Sequence, residues 1–261
     1  SRTALIIKAT DFDEHELWNI VLEAGRYRRP VFLHSSVRSV GLDRLTVREL
    51  GGHTIVRIRP PRFSGMQAFE KRSLDIVGSA LALVLLSPLV LTIALAILVT
   101  SGRPILFKQP RVGKDGRVFT MLKFRTMRAV QENVRLENHS DRYVDAAERV
   151  TSVGRFLRRT SLDELPQFCN VLVGDMSLVG PRPEEVKWAG IFGNDLSEYN
   201  YRHRIRPGIT GWAQAHGLRG DTQIGPRVEL DNWYIEHWNL GLDLQIIFRT
   251  IHEVLRGENA Y

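Results

Sequence analysis

The sequence predicts a membrane-associated α/β protein, and three observations predict it. Residues 76–99 form an unbroken uncharged run, IVGSALALVLLSPLVLTIALAILV. An α/β alternation precedes that run, and a basic stretch rich in Gly, Pro and Arg follows it. Composition agrees with a folded enzyme-sized chain: 261 residues, 43% hydrophobic and 25% charged, exclude a disordered tail or a collagen-like fibre. Lys and Arg outnumber Asp and Glu by 36 to 29, a net charge of +7. That balance asks for a polyanionic partner: nucleic acid, an anionic membrane surface or a phosphorylated substrate. Cys169 is the single cysteine, so no internal disulfide can form, which suits a reducing compartment. Its apolar setting, Leu165-Pro-Gln-Phe-Cys-Asn170, reads as that of a small buried hydrophobe.

Taken in order, Ala4–Lys8 is a short apolar strand, and Asp11 to Ala24 has helical spacing through Phe12, Leu17, Ile20 and Val21. Val31–Leu33 and Thr54–Ile58 read as further strands, with a helix-like DRLTVREL between them. This is a β-α-β-α-β remnant of a doubly wound sheet, without the G-x-G-x-x-G of a dinucleotide site. Arg59-Pro-Pro-Arg-Phe-Ser-Gly65 is a linker by composition. Beyond the apolar run, Ile105–Phe107 and Val118–Met121 flank Val-Gly-Lys-Asp-Gly-Arg, a hairpin signal with Asp115-Gly116 at its turn. Residues 129–150 are polar and helix-like, Arg155 to Val173 is amphipathic, Gly174 to Pro183 is a loop, and Glu229 to Arg256 is helix-prone. Trp188, Trp212, Trp233 and Trp238 suit either core packing or the headgroup layer, with packing the commoner role for any one of them. The chain starts at Ser1, directly in strand-like sequence, and reads as having lost upstream residues.

A helix over residues 76–99 would be about 36 Å long, enough to cross a bilayer core. Its flanks complicate a straight crossing. Arg57, Arg59, Arg62, Lys71 and Arg72 stand on one side, and Arg103, Lys108, Arg111, Lys114, Arg117, Lys123 and Arg125 on the other. Basic flanks mark the cytoplasmic side, so both ends ask for the same face. Ser87-Pro88 lies mid-run, where proline removes an N–H and serine can satisfy the carbonyl it frees. A hairpin broken there satisfies both flanks; the alternative is an ordinary crossing with a proline kink.

The chemistry concentrates further on. Among the eight histidines no zinc-ligand spacing occurs, and no P-loop or G-x-S-x-G is present. What remains is Arg155-Phe-Leu-Arg158-Arg159-Thr-Ser-Leu-Asp163-Glu164-Leu-Pro, with arginines set before adjacent carboxylates. Lys123-Phe-Arg125-Thr and Pro181-Arg182-Pro183 add cations on a strand and a loop. Most Asp-Glu dipeptides are surface pairs, but here neighbouring arginines should depress both pKa values and keep the pair ionised. An ionised Asp can attack phosphorus, a neighbouring Glu can hold Mg2+, and arginines can neutralise phosphate oxygens.

The motifs follow in a fixed order: Lys71-Arg72-x-x-Asp75, Ser87-Pro88, Gln109-x-Arg111-x-Gly113-x-x-Gly116, Lys123-Phe-Arg-Thr-Met127 and Ser161-Leu-Asp-Glu-Leu-Pro-Gln167. Asn170-Val-Leu, Gly174 to Pro183 and Pro207-Gly-Ile-Thr-Gly-Trp212 complete the series. Over residues 69–255 this resembles the bacterial sugar transferase family, the monotopic phosphoglycosyl transferases. The resemblance implies transfer of a sugar 1-phosphate, of a hexose rather than an N-acetylated sugar, from a UDP-sugar to undecaprenyl phosphate, with UMP released. It implies Asp163 as nucleophile through a covalent phosphosugar-aspartate, and Glu164 as Mg2+ ligand. Lys123, Arg125, Arg158, Arg182 and Arg219 are its candidate substrate-binding residues; Arg219 stands in His-Gly-Leu-Arg-Gly where smaller relatives have Asn-Gly-Arg. Lys71, Arg72 and Asp75 would fix the start of a re-entrant helix, with Ser87 and Pro88 at its break.

The implied architecture is a partial Rossmann-like module over residues 1–62, a linker over 63–70, a re-entrant membrane helix over 71–101 and a cytosolic α/β catalytic domain over 102–261. Four upstream transmembrane helices would be missing. The protein is expected at the cytoplasmic face of the bacterial inner membrane as a homodimer, starting exopolysaccharide, capsule or O-antigen assembly, and without a nucleic-acid partner. Two rivals stay open: a single-step transferase in which Asp163 only binds metal, and a membrane-tethered binding protein that uses its basic face.

Overall fold

The first strand, β1 (Leu5–Lys8), runs parallel to β2 (Val31–His34) across helix α1 (Glu14–Arg26), with Leu5 opposite Val31. This comes from a computed structural model, which describes residues 5–8, 12–26, 30–34, 45–50, 53–58, 65–128, 149–196, 198–218 and 222–256. The parallel unit is the one predicted, but the next two strands correct the sequence reading. DRLTVREL is not helical from Leu45 on: β3 (Leu45–Leu50) pairs antiparallel with β4 (His53–Ile58), from Leu45 opposite Ile58 to Leu50 opposite His53. Adjacent β-branched Thr46 and Val47 suit a strand, and the intervening Gly51-Gly52 is a hairpin signal. The sheet order is β1-β2-β4-β3, with β4 antiparallel to both neighbours, so only β1 and β2 retain the parallel pairing of a doubly wound sheet.

Helix α2 runs from Met66 to Ser101 and is long and apolar enough to cross a membrane. It takes in residues 66–70, which the expected domain layout assigns to the linker over 63–70. Helical structure continues through Pro88. Val84 loses the bond that Pro88 cannot donate, and the Ser87 hydroxyl donates to the Val84 carbonyl at 2.8 Å in its place. Val84, Leu85, Leu91, Leu95 and Val99 are 58–77% exposed, an apolar surface that no soluble helix of this length keeps without a lipid or protein cover.

Both arms of α2 nevertheless rest on the same body of the protein. In the first arm Lys71, Asp75 and Ser79 are buried, and Gly78 lies so close to Leu178 that a Cβ would sit 2.6 Å from its side chain. In the second, Ile93 and Ile97 pack with Phe124, Leu157 and Leu165. Phe168 packs against the core on both sides.

That body begins with the predicted hairpin, β5 (Leu106–Val112) antiparallel to β6 (Val118–Phe124). Asp115 and Gly116 take positive φ (53° and 76°) in the connecting turn. Residues 129–148, within the predicted polar helix, lie outside the described residues. The amphipathic stretch resolves into α3 (Ser152–Arg159), a 3-10 turn (Leu162–Glu164) and α4 (Gln167–Val173). The stretch Gly174 to Pro183 is not wholly loop, because β7 (Ser177–Val179) within it pairs in parallel with β9 (Gly208–Thr210). Between them lie β8 (Glu184–Glu185), which extends the β5 edge, α5 (Val186–Asp195) and a 3-10 turn (Tyr199–Arg204). Three short to medium helices finish the chain: α6 (Trp212–Ala215), α7 (Ile224–His237) and α8 (Leu240–Arg256).

Around β7 and β9 the backbones touch. A Cβ on Gly180, Gly208 or Gly211 would fall 2.5, 2.1 or 2.2 Å from main-chain atoms of the facing segment. Val171, Met176, Val179, Tyr234 and Ile246 fill the core beside this seam. Cys169, expected inside, is exposed: α4 turns Gln167, Asn170 and Val171 inward and leaves Cys169 on its other side. Of the tryptophans, Trp238 is buried, while Trp188 and Trp233 are exposed and Trp212 stacks on Trp233 at 5.0 Å. The N-terminal unit docks on the hairpin and the second 3-10 turn, with Arg26 donating to the Asp115 carbonyl (3.2 Å) and Arg204 to that of Leu22 (3.2 Å).

Candidate active site

Three segments meet at the carboxylate pair. Ser161 takes a left-handed conformation (φ 55°), which ends α3 and turns the chain into the Leu162–Glu164 segment carrying Asp163 and Glu164. A non-glycine residue in that region stores strain, a feature that clusters at functional sites. Strand β6 brings Lys123. It is held in register by Asn170 of α4, whose Nδ2 donates to the Thr120 carbonyl (2.8 Å) and whose Oδ1 accepts from Leu122 N–H (3.0 Å). The third segment is Pro181-Arg182-Pro183, at the end of β7.

The result is a cluster centred on Glu164. Its Oε1 accepts from Lys123 Nζ at 2.7 Å and from Arg182 Nη2 at 3.2 Å. Burial works against the Glu164 charge, but Arg182 and Lys123 overcome it and hold its pKa at about 2. Asp163 behaves differently, and this corrects the sequence expectation that both carboxylates are depressed. Burial pushes its pKa above the ordinary aspartate value; the pull of Lys123 and Arg158 does not offset it, and the Glu164 charge adds to the rise. Both cations nearest the pair bind Glu164, and among the described residues none lies within ion-pairing distance of Asp163. Adjacent carboxylates thus have opposite characters: one paired and ionised, one desolvated and destabilised as an anion.

Of the other predicted residues, Arg158 donates from Nε to Thr126 Oγ1 (3.0 Å) at the edge of this cluster. Arg125 points elsewhere. Its guanidinium donates to the carbonyls of Ser101, Gly102 (2.6 Å) and Arg103 (3.0 Å), closing the C-terminus of α2. Arg219 lies outside the described residues. Lys71, Arg72 and Asp75 are together, not at the carboxylate pair but at the root of α2. Lys71 donates to Asp243 (2.7 Å) and the Val179 carbonyl (2.9 Å), and Arg72 to the Val171 and Leu172 carbonyls (2.7 and 2.8 Å). Asp75 Oδ1 accepts from Ser177 Oγ (2.8 Å) and Leu178 N–H (2.9 Å).

Sequence reasoning missed the partners that hold these groups. Asp243 sits in Leu242-Asp-Leu244, a charge on the buried side of an otherwise apolar helix face, and that placement was the available signal. Arg202, Glu184 and Asp231 form a second buried ionic group behind Arg182, with Arg202 and Asp231 at 2.7 Å. Nothing in their local sequence marks them.

The donors present suit Mg2+. Among the described residues no cluster of three or more His, Cys, Asp or Glu could cage an ion. A single carboxylate with substrate phosphates is an ordinary Mg2+ arrangement. The hydrogen bonds of Glu164 both fall on Oε1, which leaves Oε2 for an ion.

The family described as bacterial sugar transferase matches residues 66–257. A UDP-glucose:undecaprenyl-phosphate glucose-1-phosphate transferase of Escherichia coli (strain K12) is 42% identical over 219 residues, covering 82% of this chain and 46% of the relative. A protein of the same name from Caulobacter vibrioides is 45% identical over 198 residues, 74% of this chain and 72% of the relative. A UDP-N-acetylgalactosamine-undecaprenyl-phosphate N-acetylgalactosaminephosphotransferase of Aeromonas hydrophila is 40% identical over 236 residues, 88% and 53% of the two chains. The chain spans about half the length of the Escherichia and Aeromonas relatives.

Proposed function

This chain belongs to the bacterial sugar transferase family, and we propose that it moves a hexose 1-phosphate from a UDP-sugar to undecaprenyl phosphate and releases UMP. The observation that carries this reading is the contrast within the carboxylate pair: Glu164 is locked by Lys123 and Arg182, while half-buried Asp163 beside it has no ion pair among the described residues. A desolvated carboxylate that is costly to keep ionised is a better nucleophile than a paired one.

In the proposed reaction an Asp163 oxygen attacks the β-phosphorus of the UDP-sugar. The bond from that phosphorus to the bridging oxygen breaks, UMP leaves, and the sugar phosphate remains on Asp163. A phosphate oxygen of the lipid then attacks the same phosphorus, and the Asp163 carboxylate leaves. Lys123 and Arg182 keep Glu164 in place and present positive charge where the phosphate oxygens gather it. Arg158 flanks the same space. Bound at Glu164, Mg2+ would neutralise pyrophosphate charge.

The membrane arrangement we propose is a re-entrant α2. A straight crossing would carry the second arm away from the domain that holds the first. Ile93 and Ile97 pack instead on Phe124 and Leu157, elements of that same domain. The basic flanks point both ends to the cytoplasm, and so favour catalysis at the cytoplasmic face of the inner membrane. The N-terminal unit is read as the end of a Rossmann-like module and a pairing surface for a homodimer. The product would enter polysaccharide assembly. Glucose is the first sugar to test, because two of the three relatives described are named for it.

Intact-protein mass spectrometry tests the reading directly. The protein is incubated with Mg2+ and a panel of UDP-sugars, without lipid acceptor. A gain of one sugar phosphate localised to Asp163 is the expected result, and it identifies the sugar. UMP formed only once lipid is supplied, with no adduct, would remove Asp163 from the nucleophile role in favour of direct transfer.

A further inference from the structure

A loop that contains two prolines has few ways to fix its own backbone. Pro181 and Pro183 have no N–H, so the carbonyls around Arg182 need donors from other segments. Each finds one. Gly208 N–H donates to the Pro181 carbonyl at 2.9 Å, Arg111 Nη1 to that of Pro183 at 3.4 Å, and Arg202 Nη2 to that of Arg182 at 3.0 Å.

Arg202 is the unusual donor, since it is 1% exposed. Its Nε and Nη2 donate to Asp231 Oδ2 of α7 at 3.1 and 2.7 Å, and Nη1 lies 3.9 Å from Glu184. A buried guanidinium is tolerable only when paired, and these two carboxylates answer its charge. The bond to the Arg182 carbonyl is therefore not required by charge balance. It does something else: it ties the main chain of Arg182 to a rigid, fully buried pair while the Arg182 side chain reaches forward to Glu164 at 3.2 Å.

We infer that Arg202, held by Asp231, is a positioning residue for the transfer reaction, fixing the Arg182 backbone so that its guanidinium meets Glu164 and the donor phosphate. The inference rests on the transferase reading above. A planar fork with several N–H groups can span a carboxylate and a carbonyl together, which the single ammonium of lysine does poorly.

The test is a mutant cycle on the 261-residue chain in lipid nanodiscs, with transfer of radiolabelled sugar phosphate as readout. Arg202→Met combined with Asp231→Leu removes both charges together and leaves neither unpaired, a change that buried ion pairs often tolerate. The melting midpoint should stay within about 3 °C of the unsubstituted protein. We expect kcat to fall roughly 30-fold, with the donor KM changed less than about 3-fold. In an Arg182→Ala background the same two substitutions should cost no more than about 2-fold, because nothing is left to aim. Arg202→Lys should give an intermediate kcat. Equal losses in both backgrounds, or no loss with Arg182 present, would overturn the inference and leave the transferase reading intact. An unsubstituted protein that forms no UMP from any UDP-sugar would overturn that reading and this inference with it.

Discussion

Two ionic clusters, one at the root of α2 and one at the carboxylate pair, use charge in opposite ways. At the root, Lys71 lies 2.7 Å from Asp243 and 3.7 Å from Asp75, Tyr234 donates to Asp243 at 2.6 Å, and β7 donates twice to Asp75. One cation, Lys71, answers two carboxylates there, Asp75 Oδ2 has no hydrogen-bond partner among the described residues, and the cluster ties α2 to β7 and to α8. At the carboxylate pair the same ingredients leave a remainder. Glu164 takes both nearest cations, and half-buried Asp163 is left without an ion pair among the described residues. The first cluster uses its cation to fix α2, while the second gives both of its nearest cations to Glu164 and leaves Asp163 without a direct ion pair among the described residues.

The largest effect should come from removing that remainder. Asp163→Asn keeps shape and burial but cannot attack, so adduct formation should fall at least ~1000-fold in intact-mass assays. Retention of most turnover would equate the two clusters and sink the contrast. Breaking the root cluster should act on stability instead. Lys71→Met leaves two buried carboxylates without their cation, and should cost about 3–5 kcal/mol, read by denaturant titration in detergent. A variant that unfolds normally but fails in catalysis would place Lys71 in the wrong cluster.

Acid titration sharpens the comparison. The rate of adduct formation should rise with pH along one acidic limb with its midpoint above 3.8, because burial raises Asp163 and only its anion attacks. Glu164, at about 2, stays ionised throughout that range. Its depressed value contributes stability that is present above 4.5 and lost as pH falls toward 2. An activity midpoint below 3.8 would mean that Asp163 is paired after all. The smallest effect is a gain: a raised Asp163 pKa means its anion opposes folding at neutral pH. Asp163→Asn should accordingly raise the melting midpoint by about 2 °C, whereas Asp75→Asn should lower it.

These contrasts explain what the sequence could and could not reveal. The apolar run of α2, the β5–β6 hairpin and the Asp163-Glu164 pair with its nearby cations are local signals, carried by residues close together in the chain. Ser87 satisfying Val84 beside Pro88 is likewise legible, because the groups lie within one turn. β3 reads as a helix because Leu45, Arg48 and Glu49 fit helical spacing too, and only pairing with β4 decides between them. Arg125 comes two residues after Lys123, just past the end of β6, so strand spacing in the sequence could not show that one closes a helix end while the other binds Glu164. The pKa split within the pair requires knowing which carboxylate takes the cations. Asp243 answers Lys71 from 172 residues away, a pairing that no window of sequence contains.

The glycine seam between β7 and β9 has a consequence for how such a protein can change. Gly180 and Gly211 bracket the place where the Arg182 loop leaves the sheet, and backbone fills the space that any side chain there would need. A mutational scan should therefore find these positions intolerant whatever sugar is offered. New sequence preferences would have to arise on the surrounding loops, with the aim of Arg182 at Glu164 inherited unchanged.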